Sequence, residues 1–267
     1  MSEQDAAFLK IGDGVARIVL NRPDRLNVID FACARRLLDL FEQIEREDSV
    51  KAVTLTGAGR SFMAGGDLTE FHRDLMAAPK AGSGLLALFH ELMRIIRRLR
   101  APVIAGVQGA AAGGGLALAL ACDIIIAAED AQFIPAYTRL GASPDGGTTW
   151  SVTRILGPRR ALEWIMLSDP MSAQAALAQG LVNRVVEVAA LAEEVEKLAA
   201  RIAAGPAHAY AAVKQLVWQA EQAGFGDQLE AERDAFITVT KTADFREGIS
   251  AFFERRSARF GSPTEQA

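Results

Sequence analysis

Residues 103–119 read V-I-A-G-V-Q-G-A-A-A-G-G-G-L-A-L-A. A short β-branched run, Val103–Val107, gives way through Gly109 to a glycine triplet, Gly113–Gly115, and then to an alanine- and leucine-rich helical pattern. A strand that passes through glycines into a helix start is the local signature of an α/β unit. Glycine permits positive φ and close approach by a ligand, and a helix start presents N–H groups without partners. Such a junction suits negative charge, either a phosphate or an oxyanion.

The pattern repeats outward from there. Residues 15–20, 52–56 and 124–126 read as further strands. Two helices lie between them: about 31–47, with Leu37, Phe41 and Ile44 on one stripe, and about 85–99, with Leu85, Leu88, Phe89, Leu92, Ile95, Ile96 and Leu99 together. From about Leu191 the pattern is helical only, broken at Gly205-Pro206, Gly224 and Gly226. The expected organisation is an α/β core over residues 1–190 and a helical region over 191–267. A second glycine segment, Gly57-Ala-Gly-Arg-Ser-Phe-Met-Ala-Gly-Gly-Asp-Leu68, follows the strand at 52–56. Neither segment carries the Lys-Ser or Lys-Thr of a phosphate loop, and the dinucleotide fingerprint fails at the second.

Composition narrows the class. The 267 residues are 50% hydrophobic and carry a net charge of −4, so a sizeable core is expected and nucleic acid is not the expected partner. The two cysteines, Cys33 and Cys122, lie far apart without metal or redox spacing, and reduced thiols in a cytoplasmic protein are expected. The first residues lack the basic and apolar parts of a secretion signal, and the apolar run at 116–128 is broken by Asp123 and too short to span a bilayer. No metal site is expected, because no cluster has ligand spacing.

Taken in order and spacing, these segments resemble the crotonase (enoyl-CoA hydratase/isomerase) superfamily over nearly the whole chain. The matching stretches are residues 20–27 (L-N-R-P-D-R-L-N), 57–68, 101–109, 113–115, 121–124, 140–141, 180–185 (G-L-V-N-R-V) and 246–256 (R-E-G-I-S-A-F-F-E-R-R). The resemblance implies a spiral of ββα units, a C-terminal helical trimerisation region giving a trimer or a dimer of trimers, and an acyl-CoA thioester as substrate. Coenzyme A is then part of the substrate, and no separate cofactor is implied. It further implies that the N–H groups of Gly66 and Gly114 hold the thioester oxygen as an enolate. Backbone around Arg25, Leu26, Ala64, Gly65 and Leu68 would grip CoA, and Phe260 resembles an adenine-contacting position that acts across subunits.

The acid and base must decide the reaction. Hydratases of this superfamily place two glutamates opposite the oxyanion donors, where this chain has Ala117 and Tyr137. Alanine moves no proton, and tyrosine is a poor base unless its pKa is strongly lowered. Attention then passes to Asp145 in the turn S-P-D-G-G, residues 143–147, where isomerase branches of the superfamily carry a carboxylate. The segments at 57–71 and 143–147 look nearest to the phenylacetyl-CoA epoxide isomerase branch. Isomerisation of an enoyl-CoA or related acyl-CoA by Asp145, with Tyr137 lining the site, is the expected function. A hydratase with atypical residues, an aryl-CoA dehalogenase using His90, and a non-catalytic CoA- or RNA-binding relative are the alternatives. Helical spacing places His90 opposite the apolar stripe, so the bland expectation for it is a solvated face. Asp67 and Asp123 are expected as a helix cap and a helix end, and Met63 and Trp150 as packing or pocket lining rather than chemistry.

Overall fold

The computed structural model describes residues 6–261. In chain order the elements are β1 (Ala7–Gly12), β2 (Val15–Leu20), α1 (Phe31–Glu45), β3 (Ala52–Gly57), α2 (Thr69–Arg73), α3 (Ala78–Arg98) and β4 (Val103–Val107). There follow β5 (Ala110–Ala112), α4 (Gly114–Ala121), β6 (Ile124–Ala128), β7 (Gln132–Ile134), α5 (Thr148–Leu156) and α6 (Pro158–Leu167). The chain continues through β8 (Met171–Ser172), α7 (Ala173–Ala178), β9 (Arg184–Val186), α8 (Leu191–Ala203), α9 (Ala207–Ala220), α10 (Phe225–Thr240) and α11 (Ala243–Glu254).

Six strands form one sheet in the order β1-β2-β3-β4-β6-β9. Only the β1–β2 hairpin is antiparallel; the remaining neighbours run parallel. Parallel strands need crossovers, and the crossovers here are helices that cover the sheet. Alternation along each strand divides the core in two. Val53, Leu55, Val103, Ala105 and Val107 face α1 and α3, where Leu37, Phe41, Leu92, Ile95 and Ile96 are fully buried. Val15, Ala52, Ile104 and Ile126 face the other way, against Leu191, Val195 and Leu198 of α8. Each such aliphatic or aromatic side chain contributes about 1.5–3 kcal/mol by leaving water. Gly106 lets α8 close on the sheet, since a Cβ there would lie 2.9 Å from Val195 Cγ2. The helical run after Leu191 thus begins with a layer of the core.

A smaller sheet, β5-β7-β8, stands beside the first. The chain leaving β3 runs along its edge: Met63 N–H donates to Ala110 O at 3.1 Å, and Ala112 N–H donates to Met63 O at 3.0 Å. This pairing carries the first glycine segment to the second. Helix α9 is tied to the core by a buried ion pair, Lys214 Nζ to Asp123 Oδ2 at 2.7 Å. Lys214 also donates to Ile96 O at 2.8 Å, and Trp218 Nε1–H donates to Asp123 Oδ1 at 3.1 Å. Burial lowers the Lys214 pKa, with Asp123 opposing the shift. Asp123, expected only to end a helix, therefore anchors α9 as well. No described helix is long and apolar enough to cross a membrane.

Candidate active site

The two glycine segments meet. Gly113 N–H donates to Ile134 O at 2.9 Å, and the positive φ of Gly113, 51°, turns the chain from β5 into α4. A Cβ on Gly65 would sit 3.1 Å from the Ala112 carbonyl oxygen, and one on Gly113 would lie 3.9 Å from Gly65 Cα. Gly115 is packed tighter still, because a Cβ there would overlap the Met63 carbonyl at 2.0 Å. At 65 and 115 a side chain would press the two segments apart, while at 113 it is the positive φ that favours glycine.

Gly66 and Gly114 have room in front of them. Ile29 N–H donates to Gly65 O and Asp67 N–H donates to Ile29 O, both at 2.8 Å. In this parallel bridge the N–H of the residue between, Gly66, points away from Ile29. A Cβ on Gly66 would meet nothing within 4 Å. Gly114 is the first residue of α4, so its N–H is one of those a helix leaves without an acceptor. A Cβ on Gly114 would make ordinary contacts with Ile29 Cγ2 at 3.6 Å and Phe89 Cζ at 3.7 Å. The helix dipole adds partial positive charge at the same place.

The predicted CoA-gripping residues gather next to Gly66. Leu26 has a left-handed backbone, φ 51°, and its carbonyl accepts the Ala64 N–H at 3.0 Å. Buried Asn27 holds the neighbouring loop by donating to Ala58 O at 2.9 Å and Ser61 O at 2.8 Å. Arg25 pairs with Asp67, whose other oxygen accepts the Thr69 N–H at 3.0 Å at the start of α2. Those hydrogen bonds and Arg25 hold the Asp67 carboxyl below its ordinary range, against the opposing and largest effect of burial. Leu68 is exposed beside them. Phe260 is elsewhere in the described contacts: its ring packs on Gly248, in a groove with Pro206, Ala209 and Phe245 of the C-terminal helices.

The Asp145 turn faces the start of α4. Gly146 and Gly147 both have positive φ, 57° and 84°, and Thr148 N–H closes the turn on Asp145 O at 3.0 Å. Ala117 and Phe89 press against Gly146, where a Cβ would lie 2.7 Å from Ala117 Cβ and 2.6 Å from Phe89 Cε1. Because Phe89 touches Gly114 as well, one ring's width separates the helix start from the turn. Tyr137 OH donates to Asp145 Oδ1 at 3.0 Å and shares a 3.3 Å contact with Thr148 Oγ1. Among the described residues Asp145 Oδ2 takes no hydrogen bond. Burial raises the Asp145 pKa, the Tyr137 hydrogen bond and the His90 ring opposing it. Tyr137 is raised as well, first by burial and then by the Asp145 charge, so it remains a phenol.

His90 departs from the expectation of a solvated face. Its Nε2 accepts the Gly146 N–H at 3.3 Å, because α3 lies against the turn at this point. Periodicity alone placed it opposite the stripe; the turn that covers that side comes from 56 residues further along. Arg97, on the same side two turns later, lies 3.5 Å over the Trp218 ring and 4.8 Å from Trp150. Trp150 is part-buried, its ring centroid 6.2 Å from that of Trp218. Both cysteines are buried free thiols, and burial pushes Cys33 up to about 12. Among the described residues no group of three or more His, Cys, Asp or Glu could hold a metal ion.

The family model described as enoyl-CoA hydratase/isomerase matches residues 10–263. A 1,2-epoxyphenylacetyl-CoA isomerase of Escherichia coli strain K12 is 39% identical over 248 residues, 92% of this chain and 95% of the relative. A probable enoyl-CoA hydratase of Rhodobacter capsulatus is 34% identical, covering 94% of this chain and 96% of the relative. The crystal structure of an enoyl-CoA hydratase subunit I from Geobacillus kaustophilus HTA426 superposes with a TM-score of 0.90 at 35% identity, covering 98% of this chain and all of that one.

Proposed function

The chain belongs to the enoyl-CoA hydratase/isomerase family, the crotonase superfamily, and from that premise we propose that it is an acyl-CoA isomerase. In this reading it moves a double bond in an enoyl thioester or a closely related acyl-CoA. The thioester carbonyl sits on the N–H groups of Gly66 and Gly114. Asp145 Oδ2 removes a proton from C2 of a 3-enoyl thioester; the pair of the broken C2–H bond forms a C1–C2 double bond, and the carbonyl π pair moves onto the oxygen. The two N–H groups stabilise that negative charge as it develops. The same carboxyl then returns the proton at C4, leaving a 2,3 double bond and an unchanged enzyme.

The observation that carries the reading is the Tyr137–Asp145 pair. One oxygen of the carboxylate is held by the phenol, while the other takes no hydrogen bond among the described residues. Ala117 stands where a hydratase would place one acid, and Tyr137 is raised rather than lowered in pKa, so neither supplies the second acid or base that hydration uses. His90 gives its Nε2 to the Gly146 N–H. That makes it a strut for the turn rather than a base that activates water, which weighs against aryl dehalogenation.

The grip on CoA by the backbone at Arg25, Leu26, Ala64, Gly65 and Leu68, the contact of Phe260 with adenine across subunits, and assembly as a trimer through the C-terminal helices belong to the same proposal. The test is to offer the purified protein 3-enoyl-CoA and 2-enoyl-CoA separately. Formation of the 2,3 double bond at a rate at least tenfold above hydration is the expected result. Hydration as the faster reaction would overturn the isomerase reading.

A further inference from the structure

The wall behind the Asp145 turn is one side chain. Phe89 is only 2% exposed, and its ring reaches from the Gly114 end of α4 to Gly146. Gly146 is glycine because its φ is +57° and because a Cβ would collide with Phe89 Cε1 at 2.6 Å. Beyond this contact, one helical turn further along both α3 and α4, lies a second space. Met93, Ala121, Trp150 and Trp218, together with Arg94 and Arg97, line this cavity of about 290 Å³.

We infer that Phe89 is the specificity-determining residue that sets the depth of the acyl chamber. The inference rests on the placement of the thioester at Gly66 and Gly114 proposed above. With the carbonyl there and Asp145 serving both C2 and C4, the acyl chain must run alongside the Asp145 carboxylate. The atoms past C4 then head for the end of that turn, where the Phe89–Gly146–Ala117 contact is sealed. The wild-type chamber therefore takes short or compact acyl groups. The cavity behind is joined to it only when the ring is cut back.

Saturated acyl-CoAs cannot react, so their binding tests this separately from the chemistry. Dissociation constants of butyryl-, hexanoyl-, octanoyl- and decanoyl-CoA would be measured calorimetrically for wild type, Phe89→Leu and Phe89→Ala. Each methylene that finds an apolar site gains about fourfold in affinity. Wild type should stop gaining beyond the short acyl groups. In Phe89→Ala the ratio of decanoyl to butyryl affinity should rise at least tenfold, with Phe89→Leu between. The Leu variant, whose melting is followed alongside, carries the comparison if the larger truncation does not fold. An unchanged ratio in the folded variants, or a wild type that gains steadily through decanoyl, would overturn the inference. A shifted ratio in a protein that isomerises nothing would leave the inference standing and sink the reaction reading. No acyl-CoA binding by wild type would overturn both.

Discussion

The two halves of the site are built from different materials. The half around Gly66 and Gly114 is backbone: two N–H groups aimed by a β-bridge and a helix start, with glycines packed so tightly that a Cβ at 65 or 115 would press on its neighbours. The half around Asp145 is side chain: one carboxylate, a tyrosine that holds it and a histidine that holds the turn beneath it. Backbone donors are set by the fold, so every chain that folds this way inherits them. Side chains can be exchanged one at a time without disturbing the fold. Relatives whose names speak of isomerases and of hydratases can therefore share one scaffold.

That contrast can be broken from either side. The largest effect is expected from Asp145→Ala, which should lower kcat for isomerisation by about 10²–10⁴ while leaving acyl-CoA binding within a few fold. Steady-state kinetics and a binding titration check it. On the backbone side, Gly114→Pro removes the N–H at the first residue of α4, where proline is compatible with a helix. It should cost about 10²–10³ in kcat with little change in melting temperature. A variant that melts early instead would show that Gly114 is needed for the fold more than for its donor.

Tyr137→Phe is a smaller perturbation. It deletes the hydrogen bond that opposes the burial-raised pKa of Asp145, so the carboxyl should titrate higher still. Because the base must be ionised, the acid limb of the kcat profile should move to higher pH, with a loss of rate that grows as the pH falls. An unmoved limb would reduce Tyr137 to packing.

The smallest effect concerns stability. A carboxyl whose folded pKa lies above its unfolded value binds more protons when folded, so stability falls as pH rises through that window. Asp145→Asn should therefore melt about 1–3 °C higher than wild type at neutral pH, the gap closing below the unfolded carboxylate pKa. Thermal scans at several pH values read it directly.

How much of this was legible in the chain follows the range of the forces involved. Strands β2, β3, β4 and β6 and helix α1 are visible because apolar periodicity is local, as are the two glycine segments. Helix α3 begins at Ala78, earlier than the stripe from Leu85 suggests, because Gly82, Ser83 and Gly84 weaken its helical signal while Pro79 sits in its first turn. The three-residue strands β5 and β7 and the two-residue β8 are too short to show alternation. Asp145, Gly66 and Gly114 stand out through residue type and family pattern. The partners of His90 and Lys214 do not, since Gly146 and Asp123 reach them from distant parts of the chain. The clash that makes Gly146 a glycine, against Phe89 and Ala117, is equally invisible without coordinates.

The central claim is that one carboxylate carries a proton from C2 to C4. A 3-enoyl-CoA deuterated at C2, turned over once in ordinary water, tests it most directly. The account predicts deuterium at C4 of the 2-enoyl product, and its loss together with turnover in Asp145→Ala. Product whose C4 hydrogen comes wholly from water, formed equally fast by Asp145→Ala, would contradict it.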